Sequence, residues 1–422
     1  MAQAPPPSPL NPPDPHAEIA PPAAHVWPEI DLRQVRRLTD DTGLIQHAVY
    51  ATPDPHHGYC IDDNARALLA ALRLAELGQL GTPGDEALPI HTYLQFVFYA
   101  FNPDPSQHLE PKPGSEGGFA TIADAGSPPG RFRNFMGFNR AWLEDQGSED
   151  SQGRALWALG EAVRHGPTPN VRDLAAEVYA RSLPGVAAVT WPRSWAFAIL
   201  GLVRYLEAQP DHEPTRLVLQ DFATRLADAL RHHRQDDWPW WETMVTYDNA
   251  KLPHALLLAG QALGDASMCA DALISLTWLV DQQTTTDPAT GATHLSVIGN
   301  HGWLKRDGDT VTKAAFDQQP LEAYALVDAC LDAARHTAGE PDTAKQWEAH
   351  AWRCFGWYVG RNDAAVNLID PHTGGCRDGL KADGVNRNQG AESTLAYLLA
   401  VLELHLYERR HPGLHGRVVD RP

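Results

Sequence analysis

Asp62-Asp63-Asn64-Ala65-Arg66-Ala67-Leu68-Leu69-Ala70 opens on paired acids and runs straight into an Ala/Leu-rich helix. The same text returns along the chain. Arg66-Ala-Leu-Leu-Ala reappears as Arg154-Ala-Leu-Trp-Ala, Asp63-Asn-Ala-Arg as Asp248-Asn-Ala-Lys, and Gln319-Pro-Leu-Glu as Gln389-Gly-Ala-Glu. Six such openings start at 62, 149, 192, 248, 317 and 388, each leading into about four turns of small apolar residues. Bulkier amphipathic segments alternate with them, at about 30–38, 90–101, 171–182, 215–235, 265–284 and 344–361. Small residues in one helix class and large ones in the other point to a crowded inner ring and a roomier outer ring. The spacings of 87, 43, 56, 69 and 71 residues are too irregular for an open solenoid of fixed period. Hairpins closed into a ring accept loops of any length, because the loops lie on a rim. The pattern therefore predicts an all-α fold, an (α/α)6 toroid of six helical hairpins. Residues 186–190 and 294–298 are the only strand candidates, enough for at most a small rim β-hairpin.

The toroid is expected to occupy 29–415. Residues 1–28 carry ten prolines and no apolar period, which reads as an extended tail. The stretch 103–147 is Gly/Pro-rich and too long for a plain connection, which suggests a lid or binding segment. In a chain of 422 residues, 43% hydrophobic content is ample for a core of this size. A formal charge of −19 excludes nucleic acid and an anionic membrane surface as main partners, since both need a basic face. No apolar run approaches a bilayer span and no secretory signal stands at the start, so the expected address is cytoplasmic, as a monomer or weak homo-oligomer. Five cysteines without a CxxC pair give neither a disulfide framework nor a zinc site; no metal or other cofactor is expected. Phosphate-loop, dinucleotide and GxSxG signatures are all missing.

Parallel inner helices would gather their N-terminal openings at one mouth. Asp62, Asp63, Asp150, Asp248, Asp317, Glu322 and Glu392 then surround a single funnel, together with Tyr59, Trp191, Trp195, Trp238, Trp240, Trp241, Tyr247 and Trp303. Flat rings and acids are the chemistry of a carbohydrate site, and two carboxyl groups suffice to cleave a glycosidic bond. Any single acid at a helix start is equally well explained as an N-cap. A doubled acid is harder to dismiss, because one residue can cap while the other projects inward. Asp63 and Glu392, on helices that become neighbours when the ring closes, form the leading catalytic pair, with Asp150, Glu242 and Asp248 in reserve. Trp240, Trp241, Trp303 and Tyr59 would stack sugar rings, and Asp62, His301, Asp317, Gln318, Gln319 and Asn388 would bind hydroxyls. Cys60 reads as a packing residue. Arg66, Arg154 and Lys251 occupy matching repeat positions, suited either to pairing with the acids or, as substrate-binding groups, to holding a substrate acid or a phosphate.

The strings His57-Gly-Tyr-Cys-Ile-Asp-Asp-Asn-Ala-Arg, Trp238-Pro-Trp-Trp-Glu, Gly299-Asn-His-Gly-Trp, Phe316-Asp-Gln-Gln-Pro and Asn388-Gln-Gly-Ala-Glu-Ser resemble bacterial six-hairpin glycosidase-like proteins, a group often labelled glycosyltransferase-associated. The likeness spans most of the chain after residue 40. It implies an (α/α)6 carbohydrate-active domain working on oligosaccharides, including mannose- or glucose-containing ones, and assigns no acid or base. The leading expectation is thus a glycoside hydrolase. Its rivals are an inverting glycoside phosphorylase, a toroidal lyase or sugar epimerase built on His57, His254 and His301, and a non-catalytic glycan-binding partner of a glycosyltransferase.

Overall fold

A computed structural model describes residues 28–82, 85–102, 130–288, 290–308 and 310–411. The proline-rich tail up to residue 27, the 103–129 part of the long Gly/Pro stretch and the chain after 411 lie outside them. Helices dominate: α1 (Arg33–Leu38), α2 (Ile61–Glu76), α3 (Ile90–Ala100), α4 (Glu149–His165), α5 (Pro169–Val186), α6 (Pro192–Ala208), α7 (Glu213–His233), α8 (Lys251–Leu263), α9 (Ala266–Gln282), α10 (Pro320–His336), α11 (Pro341–Gly356) and α12 (Ala391–Arg410). Every even-numbered helix begins at or within three residues of a repeat opening.

The even-numbered helices form the inner ring. α2 packs on α4, α4 on α6, α6 on α8, α8 on α10 and α10 on α12, and α12 returns to α2. Each outer helix packs on the inner helix of its hairpin, and α1 packs on α12, so the first helix completes the last hairpin. Burial follows composition. α10 is buried at every residue from Pro320 to Ala334, as a helix enclosed on all sides must be. α7 buries one stripe, Leu219, Phe222, Ala223, Leu226, Ala227 and Leu230, and turns its charges outward. Starts are local chemistry: Ser148 caps α4 through Ser151 N–H at 3.2 Å, and proline stands in the first turn of α6 and α10.

Small residues let the inner helices approach closely. A Cβ on Gly201 of α6 would lie 2.6 Å from the Leu156 carbonyl carbon and 2.7 Å from Trp157 Cα, both backbone atoms of α4. One on Gly153 of α4 would lie 2.6 Å from the Ser194 carbonyl oxygen.

Two expectations about strands need correction. Residues 169–186 are helix, so 186–190 is no strand, and the 294–298 candidate contributes only Thr293–Leu295, paired with Thr284–Thr286. The rim also carries more than one hairpin: short two- and three-stranded ribbons border the mouth, among them Tyr59–Cys60 with Phe135–Met136 and Met244–Val245 with Leu304–Asp307 and Thr310–Lys313. Loops there already run extended beside each other, and pairing satisfies their backbone groups.

Candidate active site

Contacts between helices arrange the inner ring in layers. At the N-terminal ends, Arg66 of α2 reaches Glu392 of α12 at 3.0 Å, Ser194 of α6 donates to Asp150 of α4 at 2.7 Å, and Arg154 of α4 donates to Asp248, just before α8, at 2.8 Å. Asp248 and Asn249 in turn donate their N–H groups to Glu322 in the first turn of α10. The inner helices therefore run parallel and their openings do share one mouth. Deeper, Lys251 pairs with Asp328 at 2.5 Å and His254 with Asp332 at 2.7 Å. At the far end Arg73 binds Glu161 at 2.8 and 2.9 Å and Glu403 at 2.6 Å. Ion pairs thus cross the axis of the ring, and a cavity of about 70 Å³ lined by Arg73, Asp328, Asp332 and Glu403 remains at its far end.

The paired acids do not divide into a cap and an inward acid, because Cys60 caps α2 in place of either. Asp63 is turned into the wall: its Oδ1 accepts from Arg66 at 2.9 Å and its Oδ2 from the Cys60 thiol at 3.2 Å. Burial pushes its carboxyl up to about 6, against the pull of Arg66. Cys60 has a role beyond packing, because its sulfur also caps α2 by accepting from Asp63 N–H. Asp62 is half-buried, and its Oδ1 is enclosed without a hydrogen-bond partner. Burial raises its pKa, Arg154 and Arg66 oppose the rise, and nearby Asp150 and Glu392 add to it. Asp150 is oriented by two hydroxyls, Ser194 on Oδ1 and Tyr247 on Oδ2 at 2.7 Å each.

Around this centre, Glu392 shares Arg66 with Asp63 and is 43% exposed. Glu242 accepts from Arg193 at 2.9 Å, and that guanidinium lies 4.7 Å over the Tyr247 ring. Glu322, pushed up to about 7 by burial and by Asp248, receives the side chain of Asn249 as well as the two N–H groups. Asp248 itself is fully buried with φ of 48°, a left-handed backbone that non-glycine residues adopt mainly at functional or tightly constrained turns.

Several expected ligands are structural instead. Trp240 and Trp241 are fully buried; they pack edge to face, and Trp241 donates to Leu226 O of α7 at 2.8 Å. They form the hydrophobic wall between ring layers and cannot stack a sugar. Tyr59 is equally buried, its hydroxyl donating to Asp40 at 2.6 Å. Gln318 is enclosed, accepting from the Trp357 indole at 2.7 Å and donating to Asp363 and Ala315 O. Gln319 precedes α10 half-buried, without a side-chain cap. Asn388 accepts from Tyr50 N–H at 2.9 Å and holds a rim loop. Lys251 is buried between the Trp157 and Tyr324 rings, below the mouth, so it cannot receive a phosphate there. His254, Asp328 and Asp332 offer ligand atoms within 4.8 Å of one another, but Lys251 and Arg335 already neutralise the two acids. His301 and Asp317 sit on the rim with 3.7 Å between them, and Trp303 stands beside them partly exposed, with φ of 63°.

The structure adds Phe138, His47 and Asp378, which the pattern did not single out, and seats the candidate His57 beside His47. Phe138 is 51% exposed and stacks on Tyr59 with ring centroids 6.2 Å apart. His47 and His57 meet with rings 4.5 Å apart; burial lowers the pKa of His47, with His57 adding to the effect, while Asp378 and Glu392 oppose it. Asp378 accepts from Gly390 N–H at 2.8 Å at the start of α12. Ser194 and Arg193 differ from the other openings, because no acid precedes them.

No protein-family model and no curated protein matches the chain. Solved structures do. A sugar epimerase from a ruminal bacterium superposes with a TM-score of 0.58 at 12% identity, over 89% of this chain and 95% of that one. A GH76 α-mannanase of Bacteroides thetaiotaomicron gives 0.55 at 12% identity, over 90% and 94%. The fold is the (α/α)6 six-hairpin toroid. An inactive variant of an α-1,6-mannanase from Salegentibacter, altered at two consecutive aspartates and bound to α-1,6-mannotetrose, shares the toroid with a TM-score of 0.52 at 13% identity, over 89% and 96%. Among the described residues no helix is long and apolar enough to cross a membrane.

Proposed function

We propose that this toroid is a carbohydrate-active enzyme that hydrolyses glycosidic bonds of an oligosaccharide. The observation that carries the reading is the unequal treatment of two acids at the mouth. Asp62 has an enclosed, unpartnered oxygen, and burial raises its pKa, the direction that suits a proton donor. Asp150 has a hydroxyl donor on each of its two oxygens, which fix the orientation in which it can take a proton from water. Two carboxyl groups separated in this way divide the acid and base roles. Asp62 protonates the glycosidic oxygen as its bond to the anomeric carbon breaks. Water attacks that carbon and passes its proton to Asp150. Asp63 and Glu392, the pair favoured by sequence, hold Arg66 between them and set the field at Asp62.

The test is incubation with manno- and gluco-oligosaccharides, with and without phosphate, for wild type, Asp62→Asn, Asp150→Asn and Glu392→Gln. New reducing ends are expected without phosphate, and losses of about 10²–10⁴-fold for Asp62→Asn. Wild-type turnover in Asp62→Asn would remove it from the mechanism. A second reading, a sugar epimerase, rests on the paired imidazoles of His47 and His57 at the same mouth and on the likeness to the ruminal enzyme. It predicts an isomeric sugar and no new reducing end. A sugar phosphate formed only with phosphate would mark a phosphorylase; the burial of Lys251 and the excess of acids over guanidinium groups weigh against that outcome.

A further inference from the structure

Aromatic rings remain exposed at the mouth on both sides of Asp62 and Asp150, and none of them is a ring that the sequence assigned to stacking a sugar. On the α2 side stands Phe138, backed by Tyr59 with ring planes only 14° apart. On the α6 side stands Trp191, the residue before α6, whose indole is 67% exposed. Its backbone is pinned rather than loose: the Glu149 carboxylate accepts from Trp191 N–H at 3.0 Å and from Thr190 N–H at 2.6 Å. Between Trp191 and the centre lies Tyr247, fixed by its bond to Asp150 and by the Arg193 guanidinium over its face.

Large exposed aromatics held on rigid backbone suit a ligand with flat apolar faces and a hydroxylated edge, since the ring binds the face while neighbouring polar groups bind the edge. The acids around them disfavour an anionic ligand. Phe138 and Trp191 stand over α2 and α6, next-nearest helices of a six-membered ring and so about 1.7 inner-helix spacings apart, roughly 14–17 Å at ordinary helix packing distances. That span exceeds a disaccharide. Building on the hydrolase reading, we infer that the substrate is a linear chain of neutral sugars, longer than a disaccharide, lying across the mouth from Phe138 to Trp191, with sugar rings on both sides of the bond at Asp62.

The experiment is calorimetric binding of manno- and cello-oligosaccharides of increasing length to the Asp62→Asn protein, which leaves them uncleaved, alone and combined with Trp191→Ala, Trp191→Phe or Phe138→Ala. Affinity is expected to rise with length up to the span and then level off. Trp191→Ala and Phe138→Ala each weaken binding of the longer chains about tenfold, the size of one aromatic stacking contact. They leave the disaccharide unchanged, and Trp191→Phe retains most of the affinity at an unaltered melting temperature. If chains bind but neither alanine variant changes the length dependence, this inference falls while hydrolysis stands. If no oligosaccharide binds and none is cleaved by wild type, both fall together.

Discussion

Replacing Gly201 by alanine tests how tightly the site depends on the closeness of α4 and α6. The new Cβ would sit 2.6 Å from the Leu156 carbonyl carbon and 2.7 Å from Trp157 Cα, where ordinary contact begins at 3.4 Å. Both obstacles are backbone, so no rotamer change relieves them; the helices must part by roughly 0.8 Å, the shortfall at the Leu156 carbonyl carbon. Alanine gains about 1 kcal/mol over glycine in helix propensity. Overpacking against a rigid neighbour costs about 1–3 kcal/mol, and backbone contacts belong at the upper end. A net loss of about 1–2 kcal/mol should appear as a lower urea midpoint at unchanged slope. The same separation stretches the Ser194–Asp150 bond, now 2.7 Å, because it joins these two helices. Turnover should fall about tenfold, less than the hundredfold that a full 1 Å misplacement can cause. Gly339→Ala, with nothing within 4 Å of the added carbon, is the control. A midpoint equal to or above wild type, with full turnover, would refute the close-packing argument and the role given to Asp150.

Two further expectations concern charge. Arg154 lowers the pKa of Asp62, so Arg154→Gln should let that pKa rise further and move the alkaline limb of the kcat/KM profile to higher pH; an unmoved limb, or one shifted downward, would show that Asp62 is not the proton donor. Arg73→Met leaves buried Glu161 with Arg204 at 3.3 Å and buried Glu403 with Arg335 only at 4.0 Å, and should destabilise by about 3 kcal/mol in urea unfolding. Adding Glu161→Gln and Glu403→Gln should restore most of that loss, and a single variant within 1 kcal/mol of wild type would sink the assignment of a buried triad.

The ring was legible because its periodicity is physical: an inner helix enclosed on all sides must be small and apolar throughout, and an outer one needs only a stripe. The acidic openings at 62, 149 and 248 likewise announced the mouth, since Asp62, Asp150 and Asp248 do meet there. What the text could not show is depth. Trp238-Pro-Trp-Trp-Glu reads as a row of rings beside an acid, yet Trp240 and Trp241 face the wall and only Glu242 reaches the mouth, a difference made by the path of the loop and not by its composition. Gln318 differs for a related reason: amides beside loops are as useful for holding backbone and neighbouring side chains as for holding hydroxyls. Of the doubled acid, sequence could say that one member turns inward but not which. Arg73, Glu161 and Glu403 carried a signal that went unused, because a charge set within an Ala/Leu helix enclosed by others must find a partner across the ring.

The ion pairs along the axis also govern traffic. Lys251 with Asp328, His254 with Asp332 and Arg73 with Glu161 and Glu403 close the lumen behind the mouth, so the toroid is a cup and not a pipe. A polymer cannot thread it. Any product must leave by the opening through which the substrate came, and the next substrate must wait for that departure.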